Sequence, residues 1–127
     1  MTRFLLVAAG GAIGAVARYG VGRILPAGDW PSATLAVNLI GGLLMGFLTG
    51  WLAFRAGVAQ ESIRLFAAVG VLGGFTTFSA FSLETALMIE RGRFGAAAAY
   101  AAISVVLSVA ALFFGLMTAR RVFGGVL

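Results

Sequence analysis

Glycine, hydroxyl and aromatic residues are concentrated in one short stretch of the chain, Gly73-Gly74-Phe75-Thr76-Thr77-Phe78-Ser79-Ala80-Phe81. Adjacent glycines and β-branched threonines favour a local helix break, whose freed backbone carbonyls can coordinate a cation. The alternative is an intact helix in which the hydroxyls bond to carbonyls one turn earlier. Phe78 and Phe81 are three residues apart and share a helix face. These rings either pack in the core or present their positive edges to an anion.

A second set of polar side chains recurs at helical spacing within apolar sequence. Tyr100, Ser104 and Ser108 follow one another every four residues and form a stripe along one helix face. Such hydroxyls either bond to a neighbouring helix or replace the hydration of a passing ion. Asn38 lies near the start of another apolar stretch, and its amide can donate hydrogen bonds to an anion.

Two charged residues also lie within apolar sequence. Arg18 is expected to extend to the lipid headgroups, a position that is compatible with attracting anions at a vestibule. Glu84 precedes the end of its apolar stretch by only five residues, so it can reach an interface. A buried proton-coupling role for Glu84 is the alternative.

The composition excludes most other chemistry. The 127 residues include no cysteine and no histidine, which removes disulfides, thiol nucleophiles, and the commonest general base and metal ligand. With 61% hydrophobic and 10% charged residues and a mean hydropathy of +1.08, the chain cannot cover a water-exposed surface. We therefore expect a membrane protein that is not an enzyme.

The net charge of +5 comes from arginines at the ends of apolar stretches rather than in one patch. This distribution is typical of membrane helix ends and argues against nucleic-acid binding.

Four apolar segments must position these residues: Phe4–Leu25, Ala33–Phe54, Leu65–Ile89 and Phe94–Ala119. Each is long enough to cross a hydrocarbon core of ~30 Å as an α-helix. We predict an all-α membrane protein with four transmembrane helices, the third broken at its middle, in a single domain over residues 1–127. The first segment also has features of a signal peptide, but the three further spans argue against cleavage.

The connections are short turns at residues 26–31, which include an interfacial Trp30, and at residues 91–93. With four spans, both termini and the central loop share one side of the membrane. That side carries Arg3, Arg55, Arg64, Arg120 and Arg121, whereas the other carries Arg23, Arg91 and Arg93. Five against three is a weak bias, which predicts that the chain inserts in both orientations.

Glycines recur at a spacing of four residues on two of the predicted spans. Gly42, Gly46 and Gly50 form one row, and Gly10 and Gly14 form another. Small residues at this spacing let helix backbones approach closely in lipid. The rows are equally suited to contacts within one four-helix bundle and to contacts between two copies.

Three motifs, in order along the chain, resemble those of the Fluc (CrcB) fluoride channel family. They are Gly10-Gly11-Ala12-Ile13-Gly14-Ala15-Val16-Ala17-Arg18-Tyr19, Thr34-Leu35-Ala36-Val37-Asn38-Leu39-Ile40-Gly41, and the stretch from Gly73 to Phe81. The resemblance covers essentially the whole chain, and the third motif is the most specific. Ala80 departs from the hydroxyl residue that the family usually has at this position.

The resemblance implies a passive fluoride channel in the cell membrane that exports cytoplasmic fluoride down its electrochemical gradient and so lowers fluoride toxicity. It also implies an antiparallel, dual-topology homodimer with two pores and a structural sodium ion at its centre, which is not transported. Backbone oxygens of Gly73 and Thr76 would hold this ion. The ion pathway would be formed by Asn38, Thr77, Phe78, Phe81, Tyr100, Ser104 and Ser108, with Arg18 at the vestibule. The expected partners are fluoride, a second copy of the chain and the lipid bilayer.

Two other classes of membrane protein share the four-span plan. A small dual-topology multidrug exporter needs a carboxylate on its first span, and Phe4–Leu25 contains none. A non-transporting assembly protein held together by its glycine rows would leave the polar residues of three spans without a common role.

Overall fold

The computed structural model describes residues 1–25, 28, 30–55 and 57–124, and their regular structure is helical. The elements are α1 (Thr2–Ile24), α2 (Ser32–Leu52), α3 (residues 58–75), α4 (Ser79–Glu90) and α5 (Phe94–Gly124). Four stretches of these helices are long and apolar enough to cross a membrane: Thr2–Ile24, Ser32–Leu52, Ala59–Glu90 and Phe94–Gly124. The predicted four spans are confirmed, and the third is divided between α3 and α4.

The third span begins earlier than its charges suggested. α3 starts as an α-helix at Val58–Ile63, continues as a π-helix over Arg64–Leu72 and ends in the turn Gly73–Phe75. The sequence placed the boundary at Leu65, after the charged residues. Glu61 and Arg64 instead form an exposed ion pair at 3.0 Å, one turn apart on the helix. Such a pair stabilises a helix end at the membrane surface.

The four spans pack as two close pairs, α1 against α3 and α2 against α5. A Cβ atom at Gly42 would lie 2.9 Å from the carbonyl oxygen of Ser108, and one at Gly50 would lie 2.8 Å from Cβ of Ala119. A Cβ atom at Gly14 would lie 2.8 Å from the backbone nitrogen of Phe75. The glycine rows are therefore used for contacts within the bundle.

A tight turn at Gly92 folds α4 back against α5. Gly92 has a φ of 75°, a conformation that favours glycine. Its N–H donates to the carbonyl of Ile89 at 3.0 Å, and the N–H of Arg93 donates to the carbonyl of Met88 at 2.9 Å. This arrangement closes the carboxyl end of α4 and fixes the register that brings Glu84 beside Tyr100.

A small buried cluster lies between α4 and α5, formed by Met88, Ala97 and Tyr100. Most other large apolar side chains of α5 are exposed, including Phe113 and Phe114, as is expected for helices that face lipid. In the turn predicted at residues 26–31, Pro26, Ala27 and Asp29 lie outside the described residues.

Candidate functional site: a polar groove at a broken helix

The third span is broken between Phe75 and Ser79. Thr76 has an extended backbone, with φ −86° and ψ 158°, which ends α3. The carbonyl of Leu72 accepts hydrogen bonds from the N–H of Thr76 at 3.0 Å and from its hydroxyl at 2.9 Å. The break predicted from the glycines and threonines is therefore present. The other arrangement considered from the sequence, a hydroxyl bonded to the carbonyl one turn earlier, also occurs at Thr76.

Asn38 on α2 binds the backbone of the break. Its Nδ2 donates to the carbonyl of Thr77 at 3.0 Å, and its Oδ1 accepts from the N–H of Thr77 at 2.9 Å. Thr77 lies outside both helices, so neither of these backbone groups has a helical partner. One Nδ2 hydrogen is used by this pair, and the amide retains a second. The sequence predicted the donor but not this structural partner.

Arg18 on α1 caps the carboxyl end of α3. Its Nε donates to the carbonyl of Gly74 at 3.1 Å, and the side chain is half-buried. A cation at the carboxyl end of a helix also interacts favourably with the helix dipole. Arg18 therefore does more than extend to the headgroups, because it holds one of the carbonyls that the break releases.

Thr77 completes the start of α4. Its hydroxyl accepts from the N–H of Ala80 at 3.1 Å and lies 3.2 Å from the hydroxyl of Ser79. The first pair satisfies one of the free N–H groups in the first turn of a helix. Because Ala80 has no side-chain hydroxyl, it contributes only this backbone donor at the break.

A groove of about 390 Å³ runs beside the break between α2, α4 and α5. It brings together six of the predicted pathway residues: Asn38, Thr77, Phe78, Phe81, Ser104 and Ser108. Ser104 is 7% exposed, and its hydroxyl has no hydrogen-bond partner within the described part of the chain. A buried hydroxyl of this kind is costly unless a water, an ion or another chain satisfies it.

The aromatic residues form a row that continues from the groove into the bundle. The rings of Phe78 and Phe81 are 5.5 Å apart, and those of Phe81 and Tyr100 are 5.2 Å apart, centroid to centroid. Phe78 is 77% exposed, whereas Tyr100 is fully buried. Tyr100 therefore lies behind the groove rather than in its wall, and it contacts the groove through Phe81.

Glu84 forms a hydrogen-bonded centre that sequence reasoning left undecided. One carboxylate oxygen accepts from the hydroxyl of Thr34 at 2.5 Å, and the other accepts from the hydroxyl of Tyr100 at 3.2 Å. The sequence did carry a signal, since Glu84 is three residues from Phe81 and therefore shares its helix face. The pairing of Glu84 with Tyr100 could be seen only in the structure, because the turn between α4 and α5 brings these two residues together.

A second cavity, of about 440 Å³, lies on the other side of Thr77. Arg18 and Arg23 line it together with Thr34 and Ala80, and Thr77 lines both this cavity and the groove. Two guanidinium groups make this cavity attractive to anions. The break therefore lies between an arginine-lined cavity and the groove.

The carbonyl groups of the break differ in their partners. Those of Leu72, Gly74 and Thr77 accept hydrogen bonds, whereas no described residue donates to the carbonyl oxygen of Gly73 or Thr76. Within the described residues there is also no group of three or more acidic residues that could hold a metal. Neutral carbonyl oxygens are hard ligands that suit an alkali cation, so Gly73 and Thr76 fit the expected sodium ligands.

Comparison with known proteins agrees with this geometry. Residues 5–116 match the family described as CrcB-like protein, Camphor Resistance (CrcB). The chain belongs to the CrcB family. A protein of Caulobacter sp. (strain K31) is 60% identical over 97% of this chain and 98% of its own length, and is named fluoride-specific ion channel FluC. A Phenylobacterium zucineum protein of the same name is 61% identical over 97% of this chain and 99% of its own.

Membership of the CrcB family confirms the resemblance found in the three sequence motifs. Together with the four membrane-spanning helices, it makes this chain a multi-pass cell membrane protein.

Proposed function

We propose that this protein is a passive, fluoride-selective ion channel. The observation that carries the proposal is the groove at the helix break, which gathers an amide, several hydroxyls and two phenylalanines in one place. The relatives from Caulobacter and Phenylobacterium are named as channels specific for this ion. Ion channels are not enzymes, and the absence of histidine and cysteine suits that function.

The groove supplies hydrogen-bond donors that can replace fluoride's water shell. Ser104 has a buried hydroxyl without a described protein partner, and Asn38 retains one amide hydrogen beyond its pair with Thr77. Fluoride is small and strongly hydrated, so a selective path needs donors at short intervals. The positive edges of Phe78 and Phe81 add favourable contacts that require no proton transfer.

The direction of flow follows from the acid–base chemistry of the ion. Fluoride enters cells as its neutral weak acid and dissociates at the higher internal pH. The anion then leaves through a passive pore down its electrochemical gradient. Arg18 and Arg23 would raise the local concentration of the anion at the arginine-lined cavity.

The proposal includes an antiparallel homodimer with two pores. The groove opens at the surface of the single chain, with Phe78 77% exposed and Asn38 half-buried. An amide and hydroxyls that face hydrocarbon are costly. A second copy that covers this face would enclose the groove and exclude lipid from it.

The same assembly would hold a structural sodium ion through the carbonyl oxygens of Gly73 and Thr76 of each subunit. This ion supplies positive charge at converging carbonyls. Within each chain, Arg18 and Asn38 hold the neighbouring carbonyls of Gly74 and Thr77, which leaves those two oxygens for a cation.

Fluoride release from liposomes tests the function directly. Vesicles loaded with potassium fluoride and containing the purified protein should release fluoride rapidly when a potassium ionophore removes the opposing voltage. Vesicles loaded with chloride should release little, because the larger anion is excluded sterically. Release no faster than from protein-free vesicles would reject the channel function.

Phe81→Ile tests the part of the proposal that concerns the ring edges. It keeps an apolar side chain of similar bulk but removes the ring edge, so we expect fluoride release to fall by about tenfold or more. Elution as the same oligomer as the unmodified protein is the control for folding. Unchanged release would remove the ring edges from the mechanism.

Cation exchange tests the structural ion. Purification with sodium replaced by N-methylglucamine at equal ionic strength should lower both fluoride release and thermal stability, and readdition of sodium should restore both. Equal stability and release in the two buffers would contradict a bound sodium ion.

A further inference from the structure

The indole of Trp30 contacts the residue on which two parts of the site depend. Trp30 lies on the connection between α1 and α2, and its carbonyl accepts from the N–H of Ser32 at 2.8 Å. Its ring centroid is 5.6 Å from that of Tyr100, with the planes at 79°. This is the edge-to-face arrangement that aromatic pairs favour.

Tyr100 joins the aromatic row to the hydrogen-bonded carboxylate. Its ring lies 5.2 Å from Phe81, and its hydroxyl donates to Glu84 at 3.2 Å. The orientation of this one side chain therefore sets both the position of the Phe81 ring and the partners of the Glu84 carboxylate.

The helix that carries Tyr100 does little to hold its ring. A helical side chain points back towards the preceding turn, where the neighbours of Tyr100 on α5 are Ala96 and Ala97. These side chains are too small to hold an aromatic ring in one rotamer. The aromatic neighbours of the Tyr100 ring are Phe81 and Trp30, and Met88 and Leu35 pack in the same cluster.

Trp30 also forms part of the wall of a cavity that reaches the Glu84 carboxylate. A pocket of about 260 Å³ is lined by Trp30, Thr34, Glu84 and Arg91, among others. Loss of the indole would enlarge this space towards the Tyr100 ring.

We propose that Trp30 is a positioning residue for ion conduction, which fixes the orientation of Tyr100 and, through it, the ring of Phe81. This inference rests on the proposed function, since it assigns a consequence for fluoride flow. Trp30 does not contact the ion; it acts through Tyr100. An aromatic ring at position 30 is therefore required, rather than any bulky apolar side chain.

Fluoride release by three variants tests the requirement for a ring. Trp30→Ala and Trp30→Leu should release fluoride about tenfold more slowly, the factor that corresponds to one edge-to-face ring contact. Trp30→Phe should keep most of the rate. The matched control is Trp51→Leu, since Trp51 lies at the opposite end of α2 beside Arg55, and it should keep the rate of the unmodified protein.

Fluorescence supplies a readout that a purely structural anchor would not change. Trp51→Phe leaves Trp30 as the sole tryptophan of the chain. In that background, added fluoride should change the emission of Trp30 saturably, whereas chloride should not, and Tyr100→Leu should abolish the response.

The outcomes separate this inference from the function on which it rests. If the unmodified protein releases no fluoride, the channel function itself fails. If it releases fluoride and Trp30→Leu is as fast as Trp30→Phe, the positioning role of Trp30 is wrong and the channel stands. If Trp30→Ala does not assemble, the comparison of the leucine and phenylalanine variants decides. A Trp30 emission that ignores fluoride also overturns the role.

Discussion

Two polar side chains of this bundle each satisfy a backbone group of the broken helix and also line a cavity beside it. Asn38 pairs with both backbone groups of Thr77 while lining the groove. Arg18 holds the carbonyl of Gly74 while lining the second cavity with Arg23. A polar group at bilayer depth needs a partner at all times. The backbone partner keeps each side chain in place whether or not an ion is present.

Asn38→Leu separates these two tasks. It leaves the N–H and the carbonyl of Thr77 without their partner, at a cost of about 1–3 kcal/mol for each group. We therefore expect lower thermal stability in detergent as well as slower fluoride release. Thr49→Leu, at an exposed position on the same helix, is the control and should change neither measurement. A stable Asn38→Leu protein with slow release would show that the amide serves the ion alone.

The identity of the polar residues could be predicted from the sequence, but their partners could not. An amide within an apolar stretch indicates a functional or paired group without naming the partner. Asn38 and Thr77 are 39 residues apart, and Arg18 and Gly74 are 56 apart. Only the packing of α1 and α2 against the third span brings them together. Six of the pathway residues that the motif resemblance named do lie together in the groove. Their roles in conduction stay predictions.

At the level of the helices, close glycine packing fixes the point at which the third span breaks. Gly14 on α1 lies against the backbone of Val71 and Phe75, directly before the extended Thr76. Neighbouring Gly11 faces open space, since a Cβ atom there would meet no atom within 4 Å. The two glycines lie on the same helix, but a side chain would clash with the backbone of α3 at Gly14 and would have free space at Gly11.

Gly14→Ala and Gly11→Ala form a matched pair. A methyl group at position 14 forces α1 away from α3, so we expect lower thermal stability and slower fluoride release. The same change at position 11 should leave release unchanged and stabilise α1 by up to about 1 kcal/mol, because alanine is the better helix former. Thermal unfolding in detergent and liposome release measure both effects. Equal stability of the two variants would contradict the packing role of Gly14.

The start of a helix could be predicted from the sequence only where the change in residue type falls at the same position as the start of the helical backbone. The first, second and fourth spans begin within two residues of their predicted starts, because Arg3, Pro31 and Arg93 lie directly beside those starts. The third span extends past Arg64 to Val58, since a one-turn ion pair tolerates charge on an exposed helix end. The π-helix of α3 has no local sequence signal. This segment packs against α1.

At the scale of the whole molecule, the distribution of charge decides how the bundle enters the membrane. Five arginines lie on the side of the termini and three on the other. The glycine rows are occupied within the chain, so they are not free to hold a second copy. The open groove is a face at which lipid would meet an amide and hydroxyls, groups that need a polar or enclosed environment.

Orientation-locked variants test the antiparallel assembly. Thr2→Arg with Ala53→Arg raises the bias to seven against three. Ile24→Arg and Glu90→Arg, combined with Arg3→Gln, Arg55→Gln, Arg120→Gln and Arg121→Gln, reverse it to one against five. Each should insert in one orientation, which a reporter fused to the carboxyl terminus would show.

If two pores require opposed subunits, each locked protein alone should release no fluoride, and their coexpression should restore release. Full activity from one locked protein alone would show that the subunits need not be antiparallel.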